Sequence, residues 1–230
     1  MIHGLPFFIS VVFILVTFLT AWLFWLATRR SNLALFLISI WLLIQAILGL
    51  NGFYTISNTI PPRIVLMILP PLLAILLLFI LPKGRYFIDE LNPKLLTLLH
   101  IIRIPVETGL LLLYLHKQIP QLMTFEGRNF DILSGITAPF IWYFGYVKKT
   151  LTRQTLIAWN ILCLGLVLNV VTHGILSAPT VFQKLAFDQP NVGIMYFPFN
   201  WLPSFIVPIV IFCHLACIRK LIKPANALAF

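Results

Sequence analysis

The chain has 230 residues, of which 60% are hydrophobic and only 10% charged, with a mean hydropathy of +1.01 and a formal net charge of +10. Soluble domains carry about 25% charged residues, so this composition excludes an ordinary water-soluble protein and calls for a bilayer as solvent. The basic excess does not point to nucleic acid, because Lys and Arg stand in short clusters between apolar runs, where a membrane protein keeps its cytoplasmic charge.

A spanning helix needs about 20 predominantly apolar residues. The first such run, Leu5 to Thr28, has no Lys or Arg before it and is followed by Arg29-Arg30. It is too long for the apolar core of a signal peptide and lacks an A-x-A-like cleavage site, so it reads as a retained first span, 5–28. Spans follow over 33–53 and 62–82. Asn92-Pro93 reads as a helix cap followed by a first-turn proline and opens the fourth span, 94–115. The fifth, 130–147, is the shortest, and 155–177 and 201–218 complete the set. Cys163, Cys213 and Cys217 all lie within apolar runs, an odd count that forms no disulfide framework. The expected fold class is all-α: residues 1–230 form a single integral membrane domain, a polytopic transmembrane helical bundle of seven spans.

Charge gives the orientation. One set of connections holds eleven basic residues: Arg29, Arg30, Lys83, Arg85, Lys94, Lys148, Lys149, Arg153, Arg219, Lys220 and Lys223. The opposite set holds four: Arg63, Lys117, Arg128 and Lys184. Cytoplasmic loops carry the excess, so the N-terminus is expected outside and the C-terminus in the cytoplasm, in a membrane of the bacterial inner (plasma) type.

At an offset of 118 residues Trp41 falls on Trp159, Asn51 on Asn169 and Pro61 on Pro179. These residue types are scarce enough here for the matches to suggest a parallel 3+1+3 repeat, with spans one to three answering to five to seven. That layout resembles the architecture of the SWEET sugar transporters and of the lumenal retrieval-signal receptors. The Pro-Gln motif associated with that group is absent from the first and fifth spans, so the resemblance implies an architecture and no substrate.

Ionisable groups inside spans are costly, and each is a functional candidate. Arg103 and Glu107 straddle the middle of span four, four residues apart on one helix face, where an ion pair within the helix would offset part of their burial. Pro105, between them, frees a carbonyl one turn back, near His100-Ile101. Gln45 in span two and Asn169 and His173 in span six are placed towards the outer side. Glu107, Arg103, His173, Asn169 and Gln45 are therefore expected to line an outward-facing polar pocket for ligand binding or proton coupling. Glu126, Arg128 and Asp131 form a polar outer loop beside it. The aromatic-rich segment 181–201 reads as an interfacial belt or a fold-back lid.

His100 and His214 lie at similar inner depths and are the candidate ligands for a metal or haem, although no local metal motif surrounds them. There is no H-E-x-x-H, no G-x-S-x-G and no Gly-rich phosphate loop, and 201–218 contains no Lys for a retinal Schiff base. The leading expectation is a small transporter or solute-binding membrane protein, not an enzyme, with the bilayer and a small-molecule ligand as partners. A membrane-embedded metal- or haem-dependent enzyme or redox protein comes second, and an accessory subunit whose polar residues fix helix packing comes third. The cofactor and the oligomeric state do not follow from the sequence.

Overall fold

The computed structural model describes residue 2 and residues 4–223, and among these the chain is helical with no strand. Every apolar run read from the sequence is a helix. The elements are α1 (Phe7–Ala27), α2 (Asn32–Leu50), α3 (Val65–Ile80), α4 (Pro82–Glu90), α5 (Pro93–Leu99), α6 (Arg103–Leu115), α7 (Ile132–Ile141), α8 (Arg153–Ser177) and α9 (Val207–Ile222). One 3-10 turn, His100–Ile102, joins α5 to α6 into a single 23-residue apolar span. It tightens where the missing N–H of Pro105 leaves the ladder incomplete. Asn92 caps α5 by accepting from the Lys94 N–H at 3.0 Å, with Pro93 in the first turn. π-helical turns extend α7 through Trp142–Val147 and open the last helix at Leu202–Ile206.

Among the described residues five helices are long and apolar enough to cross a membrane: α1, α2, α5–α6, α8 and the last helix from Leu202 to Ile222. The other two apolar runs differ from the sequence expectation. Residues 132–147 make only a 16-residue helix, about 24 Å long, short of a hydrocarbon core of about 30 Å. The third run is straight only to Ile80 and then turns by 93° into α4, which carries Lys83, Arg85, Asp89 and Glu90. Leu81 is extended, Pro82 starts the new helix, and Gly84 lies against the Leu78 backbone, so the chain can fold sharply there.

The core runs through α1, α5–α6 and the last helix, and α8 packs along α9. Phe13 on Phe199 and Phe24 on Phe212 make edge-to-face contacts at 4.8 and 5.8 Å. α2 is peripheral and mostly exposed. Three side-chain bonds clip it to the start of the last helix: Trp41 Nε1 donates to the Ser204 carbonyl at 2.8 Å, Asn200 Nδ2 to Gln45 at 2.6 Å, and Trp201 Nε1 to Leu42 at 3.0 Å. Ser204 is free to accept because Pro208, one turn on, has no N–H. The proposed repeat units are packed differently: α8 lies along α9, whereas α2 and α3 are separated by an open apolar groove.

The basic end of the bundle is tied by charge. Arg219 holds Asp89 through two bonds of 3.1 Å, Lys223 also reaches Asp89, and Lys220 donates to the Leu91 carbonyl at 2.7 Å. Burial raises the Asp89 carboxyl, but hydrogen bonds and positive charge from Arg219 and Lys223 outweigh it and hold it below its ordinary 3.8. A depressed carboxylate stabilises the fold above its unfolded pKa, and that contribution is lost as pH falls through the lower, folded value. Thermal melts in detergent should therefore show an Asp89-dependent loss only below about pH 4. Asp89→Asn should lower the melting temperature at neutral pH and remove that acid-dependent component. An unchanged acid limb in the variant would rule the clamp out as its source.

Candidate functional site

One group of buried polar residues, built around Arg103, Asp131 and His214, gathers where α6, α7, α8 and the last helix meet. Arg103 is ten residues along the α5–α6 span, about 15 Å from its start and so near the middle of a bilayer-thick bundle. Its side chain is 3% exposed, too little for water to solvate the charge. Arg103 Nη1 pairs with Asp131 Oδ1, and Ser134 Oγ donates to the same oxygen at 3.2 Å. α7 can come this close because Gly135 has no side chain: a Cβ there would meet Ile104 at 3.0 Å and Arg103 Cβ at 3.2 Å.

From this ion pair a hydrogen-bonded chain runs both ways. On one side the Asp131 N–H donates to Asn129 Oδ1 at 2.9 Å, and Asn129 Nδ2 donates to Glu107 Oε2 at 2.6 Å and to the Met123 carbonyl at 3.0 Å. On the other side Arg103 Nη2 lies 3.2 Å from His214 Nε2, and His214 Nδ1 lies 2.9 Å from Asn160 Oδ1. Asn160 Nδ2 donates to the Leu156 carbonyl at 2.8 Å, which fixes the amide and leaves its oxygen as acceptor. His214 must then donate from Nδ1 and accept at Nε2 from the guanidinium, which defines one neutral tautomer.

His100 stacks on His214 with ring centroids 3.9 Å apart and planes 10° apart, and Trp159 closes the edge of both rings at 5.6 Å. Both ring nitrogens of His100, and Nε of Arg103, are buried without a hydrogen-bond partner.

The residues expected to share one outward pocket occupy separate places. Arg103 and Glu107 share the buried chain, but the ion pair runs from Arg103 to Asp131 across helices and not to Glu107 within one. Gln45 accepts from the Tyr54 hydroxyl at 2.7 Å beside the C-terminal half of α2. Asn169 donates to the Arg128 carbonyl at 2.8 Å, and His173 Nδ1 lies 2.8 Å from the carbonyl of Asn169 in its own helix. Of the polar outer loop, Glu126 and Arg128 are exposed, whereas Asp131 is buried because the segment before α7 dips into the bundle. Asn129 and Asn160 are the members that sequence reasoning missed. The available signals were an Asn two residues before Asp131 and a second Asn, besides Asn169, inside the apolar span 155–177.

The two histidines expected as candidate metal or haem ligands, His100 and His214, come together in the fold. Both nitrogens of His214 are engaged, and the rings stack face to face instead of converging on one point. Among the described residues no group of three or more His, Cys, Asp or Glu is arranged to hold a metal ion.

Fold and site together define a class: an all-helical protein with several bilayer-length apolar helices around a buried, charge-bearing centre. The chain belongs to the family described as "Domain of unknown function (DUF8737)", whose model matches residues 60–222 and so contains every residue of the buried chain. No curated protein and no solved structure matches it.

Proposed function

We propose that this chain is an integral membrane carrier, a small transporter or solute-binding protein, whose central polar chain is its proton- or solute-exchanging site. In this reading the bent third run and the short helix 132–147 are counted as crossings, so that the spans number seven, the N-terminus is outside, and the basic end faces the cytoplasm of a bacterial inner-membrane-type bilayer. The observation that carries it is the incomplete satisfaction of the buried centre. A helix-packing lock gains only when its polar groups are all paired, since each unpaired buried group costs about 1–3 kcal/mol. Here an ion pair whose Arg103 Nε is unpartnered and a hydrogen-bonded carboxyl sit beside an imidazole with no partner at either nitrogen. With the histidines neutral, two carboxyls face one guanidinium, so uptake of one proton takes the centre from a net negative charge to neutrality. Glu107 has an amide donor and no cation partner among the described residues, which makes it the best candidate to carry that proton.

The test is proton flux in liposomes loaded with a pH-sensitive dye, under an imposed potassium diffusion potential. Wild type is expected to move protons above the protein-free rate, Glu107→Gln to lose at least about tenfold of that flux, and Glu107→Asp to keep part of it. The Gln variant should keep the wild-type melting temperature, because a neutral amide can still bond Asn129. Wild-type flux in Glu107→Gln, or none above background in wild type, would sink the proton-carrying role of this centre.

A further inference from the structure

The groove between α2 and α3 is separate from the polar centre and has a different chemistry. It encloses about 770 Å³, within the range of small-molecule pockets, and its walls are almost wholly apolar. Leu37 and Trp41 form one wall, Ala74 and Leu78 the other, and Phe212 the floor. Leu37 and Leu77 on its rims are more than half exposed, so it opens sideways, where lipid would lie.

Two features identify the occupant. The first is depth. The groove follows α2 from Ser31 to Trp41, ten residues or about 15 Å. That is half of a hydrocarbon core of about 30 Å, the reach of one leaflet's acyl chains. The second is charge. Lys83 lines the basic-end mouth, and Arg30 and Arg85 stand beside Ser31 and Gly84, which line it too. No Asp or Glu lines the groove, and the nearby acids are committed, Asp89 to Arg219 and Lys223 and Glu90 to Arg29. The mouth is therefore cationic where a lipid headgroup would sit.

We infer that this groove binds one acyl chain of an anionic glycerophospholipid from the leaflet at the basic end, with the lipid phosphate against Lys83. The chain replaces helix–helix packing between α2 and α3, and the headgroup sets the preference. This inference does not depend on the carrier reading, and its readout involves no proton or solute flux.

The experiment is thermal stability of the detergent-purified chain titrated with phosphatidylglycerol or with phosphatidylcholine of the same acyl chains. Phosphatidylglycerol is expected to stabilise wild type at a lower half-saturating concentration than phosphatidylcholine. Lys83→Gln should weaken the phosphatidylglycerol response about fivefold, the contribution of one basic residue near an anionic lipid surface, and leave the phosphatidylcholine response unchanged. Ala74→Phe, which places a ring in the groove, should abolish both responses; Ala34→Phe, from the opposite wall, serves if the first variant melts early without lipid. Equal responses to the two lipids in wild type would mean unspecific solvation of the helices and overturn the inference. So would a Lys83→Gln protein indistinguishable from wild type, or filled variants that still respond. Lipid-insensitive wild type in which Leu37→Cys cross-links to a second copy would assign the groove to self-association instead.

Discussion

Replacing Arg103 by Leu should cost about 3–5 kcal/mol of stability, the largest effect expected of any single side chain here. Asp131 would keep its place in the bundle but lose its only cation partner among the described residues, and His214 would lose the donor to Nε2. Neutral hydrogen bonds between membrane helices average only about 0.6 kcal/mol, because the separated helices also find partners in the bilayer. The expected loss exceeds that because an uncompensated carboxylate remains in an apolar interior. The double variant Arg103→Leu/Asp131→Leu should recover much of it, since removing both charges leaves neither stranded. Reversible unfolding in mixed micelles measures all three proteins. A single variant within about 0.5 kcal/mol of wild type, or a double variant as unstable as the single, would show that the pair contributes little.

Gly84→Ala is the second large effect. A Cβ at Gly84 would lie 2.5 Å from the Leu78 carbonyl oxygen and 2.6 Å from Leu78 Cα. These are backbone atoms in the last turns of α3, and they cannot rotate away as a side-chain tip would. The 93° corner must open, carrying the end of α4 away from α9 and Asp89 away from Arg219 and Lys223. Overpacking costs about 1–3 kcal/mol, and here the clamp is lost with it. Gly165→Ala in α8 is the control, because its added methyl meets nothing within 4 Å. It should be neutral or stabilising by up to about 1 kcal/mol. Similar melting temperatures for Gly84→Ala and the control would show that the corner tolerates a side chain.

The elements were legible in the sequence because burial in a bilayer imposes a one-dimensional rule: length and apolarity mark each helix, and Asn92-Pro93 marked a start to the residue. The corner after Ile80 was less legible, since Pro82 and Gly84 signal a break but not its angle. The site was only partly legible. Arg103 and Glu107 stood out because charge in an apolar run is rare, but their partners depend on helix rotation and on how a loop re-enters the bundle, which spacing along the chain does not encode. Asp131 looked like a loop residue because its neighbours Glu126 and Arg128 are polar, yet Gly135 lets α7 close on Arg103 and draws that end inward. Gln45 and His173 were expected to share one pocket with Glu107 on depth but face other neighbours, and depth alone fixes only one of three coordinates.

The three bonds that clip α2 to the last helix all fall between Trp41 and Gln45. From Asn32 to Ile40 no side-chain hydrogen bond ties the helix to another element among the described residues. Mechanically α2 is a beam pinned by directional bonds near its middle, at Trp41–Gln45, while its N-terminal half rests on apolar contacts such as that of Ile38 with the core and on the Arg29–Ser31 turn. The groove wall beside α3 is therefore hinged on a fixed line of bonds at Trp41–Gln45 and held towards Asn32 by contacts that carry no directional bond.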